Sequence, residues 1–463
     1  MAMVDVVILN DIPSISNLSR GIGAYRLATE LENHGYKTFV IDYASCMSAD
    51  KFENIISKVL NENTRVFAVS STWMREDSIF TSQFIRKLLN KYSPECKLVV
   101  GGAYAYRYID DDYDHIFIGH SENQIIDFMN SISYPRIIDW DRKAQSGKFD
   151  FNKSITTFLD YAVLDADEIV GLETSRGCIF NCAFCNYQHR GQNTRNFMKC
   201  EDVLYKELMN NYEKWGITRY AIIDDTFNDY TDKLIRIKSV IDRLPFKPMF
   251  WAYIRFDLIE AHPEQAQLLY DIGIRSAMHG LETWNDDTAR IIKKGKRSSK
   301  INGMKIAKEV WKDEVFINVF YIAGLPEDTI DDAYDFILYW KTEGYKYIDS
   351  VTAFPLWLRD LHGNEQKYSE QSDIEKYKEK YGYKMIGSKK WIRTGKGDID
   401  TFEKAANIAE LIRDKCKSKY INDNLWSWHV YADRLNIQDR VKATQKFFDE
   451  IYYPNLLRAA NEL

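Results

Sequence analysis

The feature that most constrains the fold is a repeated alternation of short apolar strands with helical segments. Residues rich in β-branched side chains fill the runs 6–9, 37–41, 66–69 and 97–100, and helix-like stretches separate them. A further short run, 115–119, leads into another helical stretch. Repeated βαβ units of this kind predict a doubly wound parallel sheet, whose ligand crevice lies beyond the carboxyl ends of its strands.

The rhythm stops and then returns with a second pattern. Residues 131–166 mix Pro135, Gly147, charges and aromatics, which is typical of a linker. Six strands with intervening helices follow, and this number predicts a partial (β/α)6 barrel with its chemistry at the carboxyl ends of the strands. The six predicted strands are 168–172, 220–223, 250–254, 275–278, 316–322 and 350–354. We therefore expect four parts: a Rossmann-type domain at 1–130, a linker at 131–166, a barrel at 167–355 and a mainly helical cap at 356–463.

Composition excludes several classes of protein. A chain of 463 residues with 45% apolar content can bury a full core, and its net charge of −6 gives no strong nucleic-acid signature. No apolar run is long enough to cross a bilayer, and the first residues lack the pattern of a signal peptide, so we expect a cytoplasmic protein. Seven cysteines, an odd number, argue against a disulfide framework.

Three of these cysteines lie within eight residues. Cys178, Cys182 and Cys185 form a C-x3-C-x2-C run on a loop after the first predicted barrel strand. Three thiolates can hold three corners of a 4Fe-4S cluster and leave its fourth iron open, whereas clusters that only carry electrons usually have four protein ligands. An open iron can chelate the amino and carboxylate groups of S-adenosylmethionine (SAM).

The run, with Thr174, Ser175, Arg176 and Gly177 before it, resembles the motif of the radical SAM superfamily. The resemblance implies that the cluster cleaves SAM reductively to a 5′-deoxyadenosyl radical, that Phe184 lies beside the adenine, and that a donor such as flavodoxin or ferredoxin supplies electrons. The alternative is a zinc site closed by Cys200 or His189, although zinc ligands more often come as C-x2-C pairs.

Features at four later strand ends extend the resemblance. Their order along the chain is more specific than any one of them, since alone each is typical of a helix cap, a surface ion pair or a turn. The resemblance implies that Asp224 and Asp225 receive the SAM amino group, and that Arg255 and the stretch containing Glu282 contact its methionine or ribose part. It implies adenine contacts from the segment with Ile322, Gly324 and Leu325, in which Asp328 follows Glu327 at the end.

The first domain resembles the cobalamin-binding domain that precedes many radical SAM cores. Small residues there allow the backbone to approach a flat corrin, and those implicated are Gly21, Ser70, Ser71, Gly101, Gly102 and Gly119. The chain has no Asp-x-His-x-x-Gly motif, so cobalamin would bind without its histidine ligand, or the domain has kept only the fold. A lone histidine such as His120 is more often structural than a cobalt ligand.

These features predict a cobalamin-dependent C-methyltransferase. The alternatives are a radical SAM oxidoreductase or rearrangement enzyme without cobalamin, and a non-catalytic metal-binding scaffold. Sulfur insertion is disfavoured because the other cysteines do not form a second cluster motif. The sequence does not identify the substrate. Aromatic residues of the cap are candidates to line its pocket, although such residues are more often core: Trp357, Trp391, Trp426, Trp428 and Tyr431.

Overall fold

The computed structural model describes residues 4–10, 19–72, 78–131, 133–139, 149–150, 152, 155–164, 166, 168–417 and 445–463. Two parallel sheets and one short hairpin organise these residues. The strands of the first sheet are β1 (Val6–Leu9), β3 (Thr38–Ile41), β4 (Val66–Ser70), β5 (Lys97–Gly102), β6 (His115–Ile118) and β7 (Ile137–Asp139).

The first sheet is doubly wound, as predicted. Its order is β3-β1-β4-β5-β6-β7, and β1 pairs in parallel with β3 on one side and with β4 on the other. The chain changes direction across the sheet between β1 and β4, and ligands of such folds bind beyond the strand ends at this point. The helices that accompany these strands are Gly23–Asn33, Ala49–Val59, Ser82–Tyr92 and Glu122–Asn130.

The second sheet contains the six predicted barrel strands and one more. Its strands are β2 (Ser19–Arg20), β8 (Ile169–Leu172), β9 (Arg219–Ile222), β10 (Met249–Tyr253), β11 (Ile274–Glu282), β12 (Phe316–Ala323) and β13 (Ser350–Pro355). They run in parallel in the order β13-β12-β11-β10-β9-β8-β2. The helices between them are Glu201–Trp215, Thr231–Ile241, Phe256–Ala261, Glu264–Ile272, Asp286–Ile291, Arg297–Trp311 and Ile330–Thr342. The partial barrel is confirmed.

Side chains of this sheet alternate between two environments because successive residues of a strand point to opposite faces. The outer face contributes Tyr220, Phe250 and Ile317 to the main core beneath the helices. A separate small cluster, which includes Trp251 and Met278, lies on the inner face. The inner face therefore forms the wall of the barrel.

The C-terminal segment packs on both sheets. The hairpin of β14 (Tyr383–Met385) and β15 (Trp391–Arg393) and the helix Phe402–Lys415 accompany the barrel, the helix against β12 and β13. The last helix, Tyr453–Glu462, instead contacts the helix Ala49–Val59 of the first domain. Two further short helices are Gly363–Tyr368 and Asp373–Lys376. None of the described helices is long and apolar enough to cross a bilayer.

A buried polar network joins the two sheets. Arg20 of β2 donates to both carboxylate oxygens of Glu168, at 2.8 and 3.2 Å, and Tyr43 OH donates to the same carboxylate at 2.6 Å. Arg20 also lies 3.7 Å from Asp42, which directly follows β3. Because removing one member would leave a buried charge without its partner, this network fixes one sheet against the other.

Candidate cofactor site at the barrel mouth

The three cysteines of the motif lie on a loop that leaves the carboxyl end of β8 and folds back on itself. Cys178 N donates to His189 O at 3.1 Å, and Gln192 N donates to Cys178 O at 3.0 Å. Within the loop, Cys185 N donates to Cys182 O at 3.1 Å. These backbone bonds fix how the chain presents the three thiols.

Two of the thiols contact groups from later strands. Cys178 Sγ lies 3.5 Å from Thr226 Oγ1, and Cys182 Sγ lies 3.8 Å from the carbonyl oxygen of Lys293. The Arg255 guanidinium is 4.0 Å from Cys182 Sγ. A positive charge beside a thiol favours its thiolate form, which is the form that binds metal.

The donor set fits a 4Fe-4S cluster. Burial raises the pKa of Cys178, and it raises the pKa of Cys185 to about 12, with Cys182 near enough to add to both shifts. Cationic iron in place of the thiol protons would remove this cost, and three thiolates are ligands that such a cluster takes. Among the described residues, no three His, Cys, Asp or Glu side chains are placed to share a single metal ion.

The side chains proposed to close a zinc site lie in other settings. Cys200 precedes the helix Glu201–Trp215 as its N-cap residue. The His189 ring stacks on the His120 ring, with centroids 5.0 Å apart. These placements and the spacing of the thiols disfavour the zinc alternative.

Asp224 has a structural role, which corrects the prediction that it receives the SAM amino group. Its buried carboxylate accepts hydrogen bonds from the backbone N and the hydroxyl of both Thr174 and Ser175, at 2.6 to 3.2 Å. Lys233 Nζ lies 3.0 Å from the same carboxylate. Five donors thus occupy Asp224, and it ties the end of β9 to the start of the cysteine loop.

Asp225 has the opposite environment. Its side chain is exposed to solvent at the end of β9. The surrounding protein restricts its hydration and raises its pKa to about 7, against a hydrogen bond from Tyr187 that lowers it. Of the two predicted carboxylates, only Asp225 is open to a ligand.

Arg255 follows β10 and faces the cysteine loop, as predicted. Its guanidinium donates to both carboxylate oxygens of Asp257, at 3.0 and 2.5 Å. The same group lies 3.7 Å from the centre of the Phe180 ring, a residue between the first two cysteines. The pair with Asp257 holds the arginine against the loop.

Glu282 lies at the irregular end of β11. Its φ is +67°, and the register with β12 shifts between Gly280 and Glu282. A Cβ at Gly280 would lie 1.9 Å from Glu282 Oε1, so the fold of this carboxylate requires glycine there. Lys294 Nζ lies 3.2 Å from Glu282 and 5.8 Å from the centre of the Phe184 ring. The structure thus brings Phe184 and Glu282 to one side of the mouth.

The Gly-Leu-Pro segment is held by its own neighbours. Gly324 has φ of +88°, and a Cβ there would lie 2.8 Å from the Trp391 ring. Asp328 accepts hydrogen bonds from Leu325 N at 3.1 Å and from Thr283 Oγ1 at 2.6 Å. Asp328 therefore ties the ends of β11 and β12 together. Sequence reasoning noted Asp328 only as a departure from the family pattern.

The crevice of the first sheet is lined by small residues, as predicted. Ser70, Ser71, Gly101, Gly102 and Gly119 lie at or just after the ends of β4, β5 and β6, and Gly119 N donates to Gly102 O at 3.0 Å. Ser71 Oγ is buried and has no hydrogen-bond partner among the described residues. A Cβ at Gly102 would fill this space, at 2.9 Å from Thr72 Oγ1.

These features fit a flat group that approaches the backbone and takes a hydrogen bond from Ser71. Gly21 lies elsewhere, since it follows β2 of the second sheet.

The crevice and the cysteine loop face each other. Arg176, two residues before Cys178, donates to Glu122 Oε1 at 2.7 Å and to Glu173 Oε1 at 2.8 Å. Burial disfavours a charge on Glu122, but Arg176 and His120 outweigh it and lower its pKa to about 2. Together with the ring pair of His120 and His189, this ion pair joins the end of β6 to the loop.

A row of aromatic rings lines the inner wall of the barrel. Adjacent centroids are 5.0 to 6.4 Å apart, and the rings are Trp251, Tyr253, Phe320, Phe354 and Trp357. Trp357, at the outer end, is 65% exposed. Ile322 lies two residues after Phe320 on the same strand face.

Sequence patterns did not reveal most of this row because its rings come from three strands. Of the predicted pocket residues, Trp357 belongs to it. Trp391 is fully buried and donates to Leu356 O at 2.8 Å, so it is a core residue. Trp426, Trp428 and Tyr431 lie outside the described residues.

Residues 172–337 match the family model of the radical SAM superfamily. This segment is a radical SAM domain. It contains the cysteine loop and every strand end described above except that of β13. No curated protein matches the chain.

Solved structures extend the likeness beyond the radical SAM domain. The methyltransferase TsrM from Kitasatospora setae, with tryptophan substrate and a SAM analogue bound, is 15% identical with a TM-score of 0.60, over 91% of this chain and 84% of that chain. Another structure of TsrM, with cobalamin and a [4Fe-4S] cluster bound, is 14% identical with a TM-score of 0.58, over 83% and 77%. The cobalamin-dependent enzyme OxsB, with aqua-cobalamin and SAM bound, is 12% identical with a TM-score of 0.51, over 96% and 67%.

These likenesses show a common fold for the Rossmann-type domain and the barrel. A 4Fe-4S cluster and SAM are the cofactors that the radical SAM superfamily uses, in agreement with the prediction from the cysteine loop.

Proposed function

We propose that this protein is a cobalamin-dependent radical SAM methyltransferase that transfers a methyl group to a carbon atom of its substrate. The observation that carries the proposal is that a three-thiol loop faces a crevice lined by small residues, across the ion pair of Arg176 with Glu122. When bound, the cofactors supply a 5′-deoxyadenosyl radical, which removes a hydrogen atom from the substrate, and a methyl group carried by cobalamin.

The protein's own residues hold and orient these groups. Cys178, Cys182 and Cys185 would hold the cluster, and Asp225 would accept the SAM ammonium. Glu282 and Phe184 would lie along SAM, since Lys294 holds the carboxylate beside the ring. Arg255 would keep positive charge beside the cluster. Ile322, Gly324 and Leu325 would border the adenine.

Cobalamin would lie in the crevice of the first sheet, against Ser70, Ser71, Gly101, Gly102 and Gly119. The buried Ser71 hydroxyl supports this placement, because buried polar atoms usually have a partner. The substrate would lie against the aromatic wall, between Tyr253 and Trp357. A wall of rings excludes water from a reactive radical and binds apolar or flat groups. We place the protein in the cytoplasm, where thiols stay reduced.

The test is anaerobic purification with added hydroxocobalamin, followed by an absorption spectrum and a SAM cleavage assay with dithionite. We expect a corrin band with about one cobalamin per chain and the formation of 5′-deoxyadenosine. Gly102→Val should remove the corrin band, because a side chain at this backbone fills the crevice. The cluster should remain.

Gly35→Val is the matched control. Gly35 is in the same domain, also has a positive φ of +85°, and a Cβ added there would have no atom within 4 Å, so only backbone strain changes. A protein with an intact cluster and no corrin band would contradict methyl transfer through cobalamin. It would favour a radical SAM oxidoreductase or rearrangement enzyme.

A further inference from the structure

A group of exposed lysines surrounds the outer side of the cysteine loop. We name Lys293, Lys296, Lys376 and Lys380 the basic collar; all four are exposed. Lys296, Lys376 and Lys380 have no carboxylate partner among the described residues, and Lys293 lies 3.3 Å from Asp373. Between residues 376 and 396 the chain has eight Lys or Arg residues and one acid, although the whole chain has a net charge of −6. The collar is therefore a local positive surface on an acidic protein.

The segments that carry the collar contact the cysteine loop directly. Ala183, between the second and third cysteines, donates its N–H to Ile292 O at 3.0 Å, and its carbonyl oxygen accepts a hydrogen bond from Ile374 N at 2.9 Å. Cys182 Sγ lies 3.8 Å from Lys293 O. Only the thickness of one strand of chain thus separates this thiol from the surface at Lys293.

The two segments also adjoin each other. Tyr381 is close enough to both Asp373 and Lys293 for their charges to act on its hydroxyl. Arg190 of the cysteine loop donates to Asp373 Oδ1 at 3.1 Å and to Gln371 O at 3.0 Å. The collar is thus one continuous surface, and it lies on the side of the loop away from Thr226 and the barrel wall.

We infer that the basic collar is the docking surface for a small acidic one-electron carrier protein of the flavodoxin or ferredoxin class. The inference rests on the proposed function, because it assumes a cluster at the three thiols. The carrier is oxidised by one electron, which passes through the cluster to SAM, whose C5′–S bond breaks as methionine leaves. Electron transfer needs a short path, and charge complementarity both speeds encounter and sets orientation.

The experiment compares two variants of the cluster-loaded protein. The collar variant carries Lys296→Glu, Lys376→Glu and Lys380→Glu. The control carries Lys87→Glu and Lys97→Glu, two exposed lysines of the first domain, one of them at the amino end of β5. For each protein we measure the Kd for purified flavodoxin by calorimetry at low and high salt, and the rate of 5′-deoxyadenosine formation with reduced flavodoxin or with dithionite.

We expect the collar variant to bind flavodoxin about tenfold or more weakly than wild type at low salt, and high salt to narrow the difference. Its rate should fall similarly with flavodoxin and stay unchanged with dithionite, a small reductant that needs no docking. The control should behave as wild type in every assay.

Wild-type affinity of the collar variant for flavodoxin would overturn the inference, whatever its activity. The same holds if heparin binds the collar and flavodoxin does not. If dithionite fails to drive SAM cleavage in the wild-type protein, the proposed function fails instead. The calorimetric comparison would still decide where the carrier docks.

Discussion

The cysteine loop and the crevice of the first sheet meet at one mouth, but they are built in opposite ways. The loop is dense with polar contacts, and five donors on Asp224 anchor its start to β9. The crevice is bare: glycines and serines line it, and Ser71 Oγ lacks a partner among the described residues.

The difference follows from what each region would hold. A cluster needs ligands of one chemical type at fixed positions, so its site is recognisable from side chains. A large flat cofactor needs room beside the backbone, so its site is recognisable from side chains that are missing. The first kind of signal is specific in sequence, whereas small residues at strand ends occur for many reasons.

The largest expected effect comes from breaking the loop. Replacement of any one cysteine of the trio, for example Cys182→Ala, should lower chelated iron and reduce SAM cleavage under dithionite to background. The crevice should still bind cobalamin, since it lies on the other sheet. Cys200→Ala is the control, because Cys200 lies at the N-cap of a helix and should keep wild-type iron content and activity. Iron analysis, the absorption spectrum and 5′-deoxyadenosine measurement check both variants.

A second change separates the two neighbouring carboxylates of the loop region. Asp224→Asn should lower the free energy of unfolding by roughly 3 kcal/mol, the low end for a broken buried ion pair, because Lys233 keeps Asp229 at 3.2 Å. Asp225→Asn should change it by less than about 0.5 kcal/mol, since solvent reaches this side chain. It should instead weaken SAM binding. Urea unfolding and a SAM titration measure the pair; equal unfolding energies for the two variants would contradict the structural role of Asp224.

A smaller effect is expected on the pH dependence of stability. Burial raises the pKa of Asp328 to about 7 in the folded protein, against hydrogen bonds that lower it. The folded state thus binds more protons than the unfolded chain between about pH 4 and 7, and stability falls as pH rises through this range. From pH 5 to 7 this group should cost about 2 kcal/mol, and Asp328→Asn should remove that slope. Identical slopes for wild type and Asp328→Asn in urea unfolding would show that the carboxyl is ionised throughout.

The barrel was well predicted from sequence, and the reason is physical. Its strands are buried on both faces, so they appear as short apolar runs between helices; the run predicted at 316–322 is β12, Phe316–Ala323. The cysteine loop was predicted for a different reason, since thiols at this spacing have few other uses. The division into four domains stays a prediction.

Other features depend on contacts between distant parts of the chain. Strand β2 has two residues and joins the barrel sheet by pairing with β8, which no local pattern indicates. The last helix packs on the first domain, where Tyr452 OH accepts a hydrogen bond from Asp42 N at 2.8 Å across 410 residues of sequence. The roles of Asp224 and Asp225 were not separable either, because adjacent residues point to opposite faces and the sequence does not say which faces the mouth.

The most direct test of the account is whether SAM binds the cluster that the three cysteines hold. Electron-nuclear double resonance of the reduced protein, mixed with SAM carrying ¹⁵N in its amino group, measures this contact. The account predicts a ¹⁵N coupling to the cluster that disappears in Cys182→Ala. An intact cluster with no such coupling, and with its fourth iron bound by a protein side chain, would contradict it.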